Sequence, residues 1–158
     1  MKNLIVSLAA AAALAPAAYA SEISIEFSPD FQEKLEKDYG TSEGEKLTRE
    51  VREDIERELG KANIDPASIK VTILDAKPNR PTFKQLGDKP GLDAMRSKSI
   101  GGMDLKGVAY SADGSALAEL EYDWYETNIE MTHAAGVWSD AERASRRFAQ
   151  KLAEKLGD

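Results

Sequence analysis

Cysteine is absent from the chain and histidine occurs once, as His133. Without thiols there is no disulfide, no cysteine nucleophile and no cysteine to carry a lipid, even in an oxidising compartment. With His133 alone, a multi-histidine metal centre is excluded, and imidazole catalysis would have to run through that one side chain. No Gly-x-Ser-x-Gly elbow accompanies it, so the local signs of a serine hydrolase are missing too. Positive charge is in deficit: with Lys2 set aside, 20 basic side chains face 28 acidic ones. The resulting net charge of −8 argues against a nucleic-acid partner and against general attraction to anionic lipid. After the first twenty residues there is no internal repeat, no low-complexity tract and no apolar run long enough to span a bilayer.

What is present first is an address. Lys2 precedes an apolar run from Leu4 to Leu14, then Pro16 and the small-residue tract Ala18-Tyr19-Ala20. This is the three-part layout of a secretory signal peptide, with cleavage expected between Ala20 and Ser21. The run is short for a membrane span, and Pro16 would break a helix before it crossed. Residues 1–20 are therefore expected to be a signal peptide and 21–158 a single domain. The product would be periplasmic and soluble, not a lipoprotein, with no stable membrane insertion after cleavage. The remaining 138 residues suffice for one hydrophobic core but not two.

Ile23, Ile25 and Phe27 alternate with polar residues, the period of a half-buried strand. Ser28-Pro29 predicts a helix start, with Phe31, Leu35 and Tyr39 at four-residue spacing before Gly40. A stronger helix follows, with a capping-box pattern at Ser42 and Glu45, a stripe of Leu47, Val51, Ile55 and Leu59, and Gly60 as its stop. Glu45 to Arg49 and Glu53 to Arg57 have the spacing of ion pairs. A second strand is expected over Ile69, Val71 and Ile73. Asp113-Gly114 as a two-residue turn then sets a hairpin with Ala109 opposite Ala118, Gly107 opposite Leu120, Leu105 opposite Tyr122 and Met103 opposite Trp124. That register makes one face apolar or small, and a one-residue slip would oppose it to Glu119, Glu121 and Asp123. A last helix opens at a second capping box, Ser139 and Glu142, and carries Ala141, Ala144, Phe148, Leu152 and Leu156 to Gly157. The order predicts an α+β two-layer sandwich of about four mainly antiparallel strands, with helices on one face.

The stretch from Ala76 to Lys98 is long for a connection and reverses the local charge. Lys77, Arg80, Lys84, Lys89, Arg96 and Lys98 oppose only Asp88 and Asp93, so 77–98 carries +4 where the rest of the exported chain carries −12. One reading is a docking loop for an anionic partner, stiffened by Pro78 and Pro81 and anchored by Phe83. The other has Pro81 and Pro90 starting helical turns that tuck Phe83, Leu86, Leu92 and Met95 over a sheet edge. Gly101-Gly102 beside the loop would form a backbone nest for an anion or a tight lead-in to the third strand. On the hairpin's open face Asp104, Glu119, Glu121 and Asp123 would hold a divalent cation, or lie hydrated beside Lys106. Trp138 precedes the last helix as a staple or end cap, or as a stacking site for a sugar. Arg143, Arg147 and Lys151 recur on what reads as that helix's solvated face.

The run Asp75-Ala76-Lys77-Pro78-Asn79-Arg80-Pro81-Thr82-Phe83, the Gly101-Gly102 pair, Tyr122-Asp123-Trp124-Tyr125 and Trp138-Ser139-Asp140-Ala141 resemble an uncharacterised group of small exported proteobacterial proteins. The resemblance spans nearly all of residues 21–158. It implies export and a single domain, and brings no activity or site residue with it. The leading expectation is a non-enzymatic envelope domain that binds an envelope protein or another anionic envelope component through 77–98, without a cofactor. Its contact residues would be Arg80, Phe83, Lys84, Arg96, Gly101 and Gly102. The alternative is a small periplasmic hydrolase or divalent-metal-dependent protein that uses His133 and the hairpin carboxylates.

Overall fold

The structure is a computed structural model that describes residues 21–132 and 136–158. The expected signal peptide and His133 lie outside the described residues. Four strands, β1 (Glu22–Phe27), β2 (Ser68–Lys77), β3 (Gly102–Tyr110) and β4 (Ala116–Tyr125), form one sheet in the order β1-β2-β3-β4. β1 runs parallel to β2 and the other two pairings are antiparallel. The α-helices are α1 (Pro29–Lys34), α2 (Thr41–Ala62), α3 (Phe83–Asp88) and α4 (Ser139–Gly157), with a π-helical turn at Leu35–Tyr39 and a 3-10 turn at Ile129–Thr132. This is the α+β sandwich read from the sequence. Among the described residues no helix is long and apolar enough to cross a membrane.

Period-two alternation places Ile23, Ile69, Val71, Ile73, Met103, Leu105, Ala109 and Ala118 on the buried face of the sheet. α2 adds Leu47, Val51, Ile55 and Leu59, and α4 adds Ala141, Ala144, Phe148 and Leu152. Each large apolar side chain fully removed from water contributes roughly 2 kcal/mol. The central fit is that of Phe148 on Gly107: a Cβ at Gly107 would lie 2.6 Å from the Phe148 ring. The strand is bare there because the helix fills it.

Several local signals resolve differently. Ser28 caps α1 as expected, its hydroxyl accepting from the Phe31 N–H. Neither predicted capping box forms: Gly40 precedes α2 and Trp138 precedes α4, without side-chain caps. Ser139 instead accepts from the Gly136 N–H at 2.6 Å. α2 runs past Gly60 to a left-handed Asn63, because a glycine inside a packed helix costs only about 1 kcal/mol. The four-residue ion pairs on α2 give way to Lys46–Glu43, Arg57–Asp54 and Lys61–Glu58.

The hairpin register matches the derived one from Gly102↔Tyr125 through Ala109↔Ala118. The turn does not. Ser111 N–H donates to Ser115 O, and Gly114 N–H donates to Ser111 O with Gly114 at φ +85°. This is a three-residue loop in which glycine supplies the left-handed position. The register shift between Ala109 and Tyr110 restores the expected pairing, leaving Leu117 as the extra, exposed residue.

Candidate functional site

Asn79 is fully buried just beyond β2, where it ties three parts of the chain together. Its amide nitrogen donates to Asp140 and to Ser99 O, and its Oδ1 accepts the Asp140 N–H at 2.8 Å. Its backbone N–H donates to Val137 O at 2.7 Å, and its carbonyl accepts the Ser99 N–H at 2.9 Å. The Asp140 carboxylate also accepts the Gly101 N–H at 3.1 Å. Both ends of the 80–98 segment are thereby fastened to the start of α4, through the buried Asn79 and Asp140 side chains.

Between those ends the segment is ordered, and it starts later than expected because β2 continues through Lys77. Thr82 and Gln85 form a reciprocal capping box that starts α3. The return arm is a tight turn about Asp93, whose carboxylate accepts the Met95 and Arg96 N–H groups at 2.8 and 2.7 Å. Those two bonds hold its pKa below the usual carboxylate range. Arg80 donates to Met95 O across the gap between the arms.

This framework holds apolar side chains out rather than in. Phe83 is 84% exposed and Met95 79%, with Leu92 partly exposed between them. The tucked-in arrangement is adopted only in part: a helix does start after Pro81 and Leu86 is half-buried, but Phe83 and Met95 stay outside, the backbone being satisfied by its own turns and by the Asn79 clamp. A groove of about 340 Å³ lies beside them, lined by Lys46, Arg80, Phe83, Leu86, Met95 and Val137. Its floor includes Glu43, a buried carboxylate that accepts from Lys46 Nζ at 2.7 Å and from Trp138 Nε1 at 2.8 Å. Trp138 is thus a buried strut that meets Tyr39 edge-on at 5.6 Å, and no sugar-stacking platform.

The other expected contact residues divide. Lys84 is half-buried and pairs with Asp88 at 2.6 Å, while Arg96 is exposed on the return arm. Gly101 and Gly102 form no anion nest. The Gly101 N–H is already given to Asp140, and a Cβ at Gly102 would sit 2.3 Å from Trp124 O. Close packing of three strand ends explains the pair. Arg143 and Arg147 are not simply solvated either: their guanidinium groups lie 5.3 and 4.4 Å from the Trp124 ring centre, and Lys151 lies 5.7 Å from that of Tyr122.

The hairpin carboxylates lie in a row that the sequence only half disclosed. A bulge between Ile73 and Asp75 rotates Asp75 onto the open face, so that Asp75, Asp104 and Asp123 are successive neighbours across β2, β3 and β4. Partial burial, then Asp123, Glu121 and Asp75, push the pKa of Asp104 up. Burial and the same aspartates raise Tyr125 well above the usual phenol range. Lys34 meets Asp75 at 2.9 Å, and Lys106 meets Glu119 at 3.0 Å rather than its register partner Glu121. Among the described residues no group of three or more histidine, aspartate or glutamate side chains is placed to hold a metal ion.

Asn79, Asp140 and Met95 are the residues that sequence reasoning missed as parts of one site. Only the unusual concentration of turn-forming residues around them gave a signal. No protein-family model, curated protein or solved structure matches the chain.

Proposed function

We propose that this protein is a non-catalytic binding domain whose contact surface is the apolar-tipped, basic segment 77–98. The observation that carries the reading is the exposure of Phe83 and Met95 on a backbone that a fully buried clamp holds rigid. A monomer gains nothing by presenting two large apolar side chains on a preordered frame, whereas a partner gains an anchor without an ordering cost. The surrounding +4 charge selects an acidic protein segment that carries an apolar side chain, and steers its approach. Phe83 and Met95 are the anchors in this reading, with Lys84, Lys89 and Arg96 as the rim. Arg80 positions the return arm. Residues 1–20 support export, so the partner belongs to the cell envelope, and kinship with the group of small exported proteins is part of the same proposal.

The test is photo-crosslinking in intact cells from a probe at Phe83, with a control probe at the exposed Glu53 of α2. A discrete protein adduct from position 83 alone, reduced several-fold by Met95→Ser, is the expected result. Equal adducts from both positions, or none, would overturn the proposal.

A further inference from the structure

Among the described residues β4 ends the sheet, with no strand paired along its outer edge. Which of its groups face outward follows from the ladder. The Glu126 N–H donates to Gly101 O, so Gly101 and Glu126 are a hydrogen-bonded pair. In an antiparallel ladder such pairs alternate, which makes Met103/Trp124 and Leu105/Tyr122 bonded and turns the N–H and C=O of Glu119, Glu121 and Asp123 away from β3. Lys155 Nζ reaches Glu119 O at 2.7 Å, as this phase requires, and blocks the edge there. Among the described residues the outward N–H and C=O of Glu121 and Asp123 have no partner.

The same two residues carry charge that is offset only in part, since Lys106 acts on Glu121 without pairing with it. Lys106 is drawn to Glu119, and among the described residues neither Glu121 nor Asp123 has an ion-pair partner. Their side chains stand on the open face of the sheet beside Asp104. On the opposite face of β4, Arg147 and Lys151 cover Trp124 and Tyr122. The edge is thus acidic on one side and basic on the other. A second copy pairing β4 with β4 antiparallel would set Glu121 and Asp123 against one another or against Glu119, an arrangement that like-charge cross-strand pairs disfavour.

We propose that the Leu120–Tyr125 edge accepts an extended partner segment as a fifth strand, with lysine or arginine at alternate positions facing Glu121 and Asp123 and uncharged or acidic residues facing α4. The alternation is the selective feature. A uniformly basic segment would bring charge against Arg147 and Lys151, and an acidic one would meet the carboxylate row. This surface is distinct from the 77–98 segment, so the proposal stands independently of the Phe83 crosslink.

The probe is a blocked hexapeptide of alternating threonine and lysine, titrated to millimolar concentration into the ¹⁵N-labelled protein. The expected result is a saturable shift and slowed hydrogen exchange at the Glu121 and Asp123 amides. A Thr-Glu peptide, or the Thr-Lys peptide with every backbone nitrogen methylated, should have no such effect. The double variant Glu121→Gln, Asp123→Asn should weaken binding at least fivefold while leaving the other resonances in place. No shift, shifts centred elsewhere, equal binding of the Thr-Glu peptide or undiminished binding to the double variant would each overturn the proposal. Protection of these amides in the protein alone, with a dimeric mass in solution, would also overturn it in favour of a second copy.

Discussion

Asp104 and Asp113 titrate in opposite senses because their neighbours differ. Asp113 accepts from both hydroxyls, Ser111 and Ser115, and from the Ser115 N–H at the hairpin turn, which lowers its pKa to about 2. Its contribution is present above the ordinary carboxylate pKa and is lost as pH falls through the lowered one. Asp104 is raised, by burial first and then by Asp123, Glu121 and Asp75. It therefore favours folding only in acid, and that contribution is lost as pH rises through its folded pKa. Asp104→Asn should raise the melting temperature at pH 7 by roughly 2 °C, as removal of a like-charge pair worth about 0.5 kcal/mol implies. The gain should shrink as pH falls and vanish below about pH 3, where the parent carboxyl is protonated in both states. Calorimetry at the two pH values checks this. Asn79→Ala is the stronger change. It leaves the buried Asp140 N–H without its partner and removes a part-buried bond to Ser99 O, so urea unfolding should show a loss of about 2 kcal/mol. Cleavage by protease within 80–98 should also accelerate.

Elements here owe their placement to tertiary fit more than to their own end signals. α2 and α4 form without the capping boxes written into them, because their buried stripes outweigh a cap worth about 1 kcal/mol. The stripes were legible in the sequence from one period; the β3–β4 register was reached through a two-residue turn that does not form, and it holds because the bulge at Ala109/Tyr110 offsets the longer loop. The bulge after Ile73 was not legible: strict alternation would send Asp75 inward, and nothing in Ile73-Leu74-Asp75 says where the extra residue falls. The Arg143 and Arg147 contacts were hidden for a related reason, since the polar stripe of a helix at a sheet edge covers the edge residues instead of water. The fit of α4 on β3 gives a direct test. Gly107→Ala should destabilise the fold by about 1–3 kcal/mol by overpacking against Phe148. Adding Phe148→Leu should recover part of that loss, giving a non-additive double-mutant cycle in chemical denaturation.

The whole molecule separates its charges, with a +4 segment set on a domain otherwise at −12. That division was visible in the composition, and so was the presence of a long connection. The outward pose of Phe83 and Met95 was not, because it depends on Asn79 meeting Asp140, residues that the sequence holds far apart. This clamp also imposes an order of events. Synthesis runs from the amino end, so 77–98 emerges well before α4 exists to receive it. Until Asp140 arrives, Asn79 has no carboxylate to hold, and Phe83 and Met95 sit on a slack tether rather than a rigid tip. If 77–98 is the contact surface proposed above, it takes its shape only once α4 has folded, and a partner that reads that shape would distinguish completed chains from nascent ones.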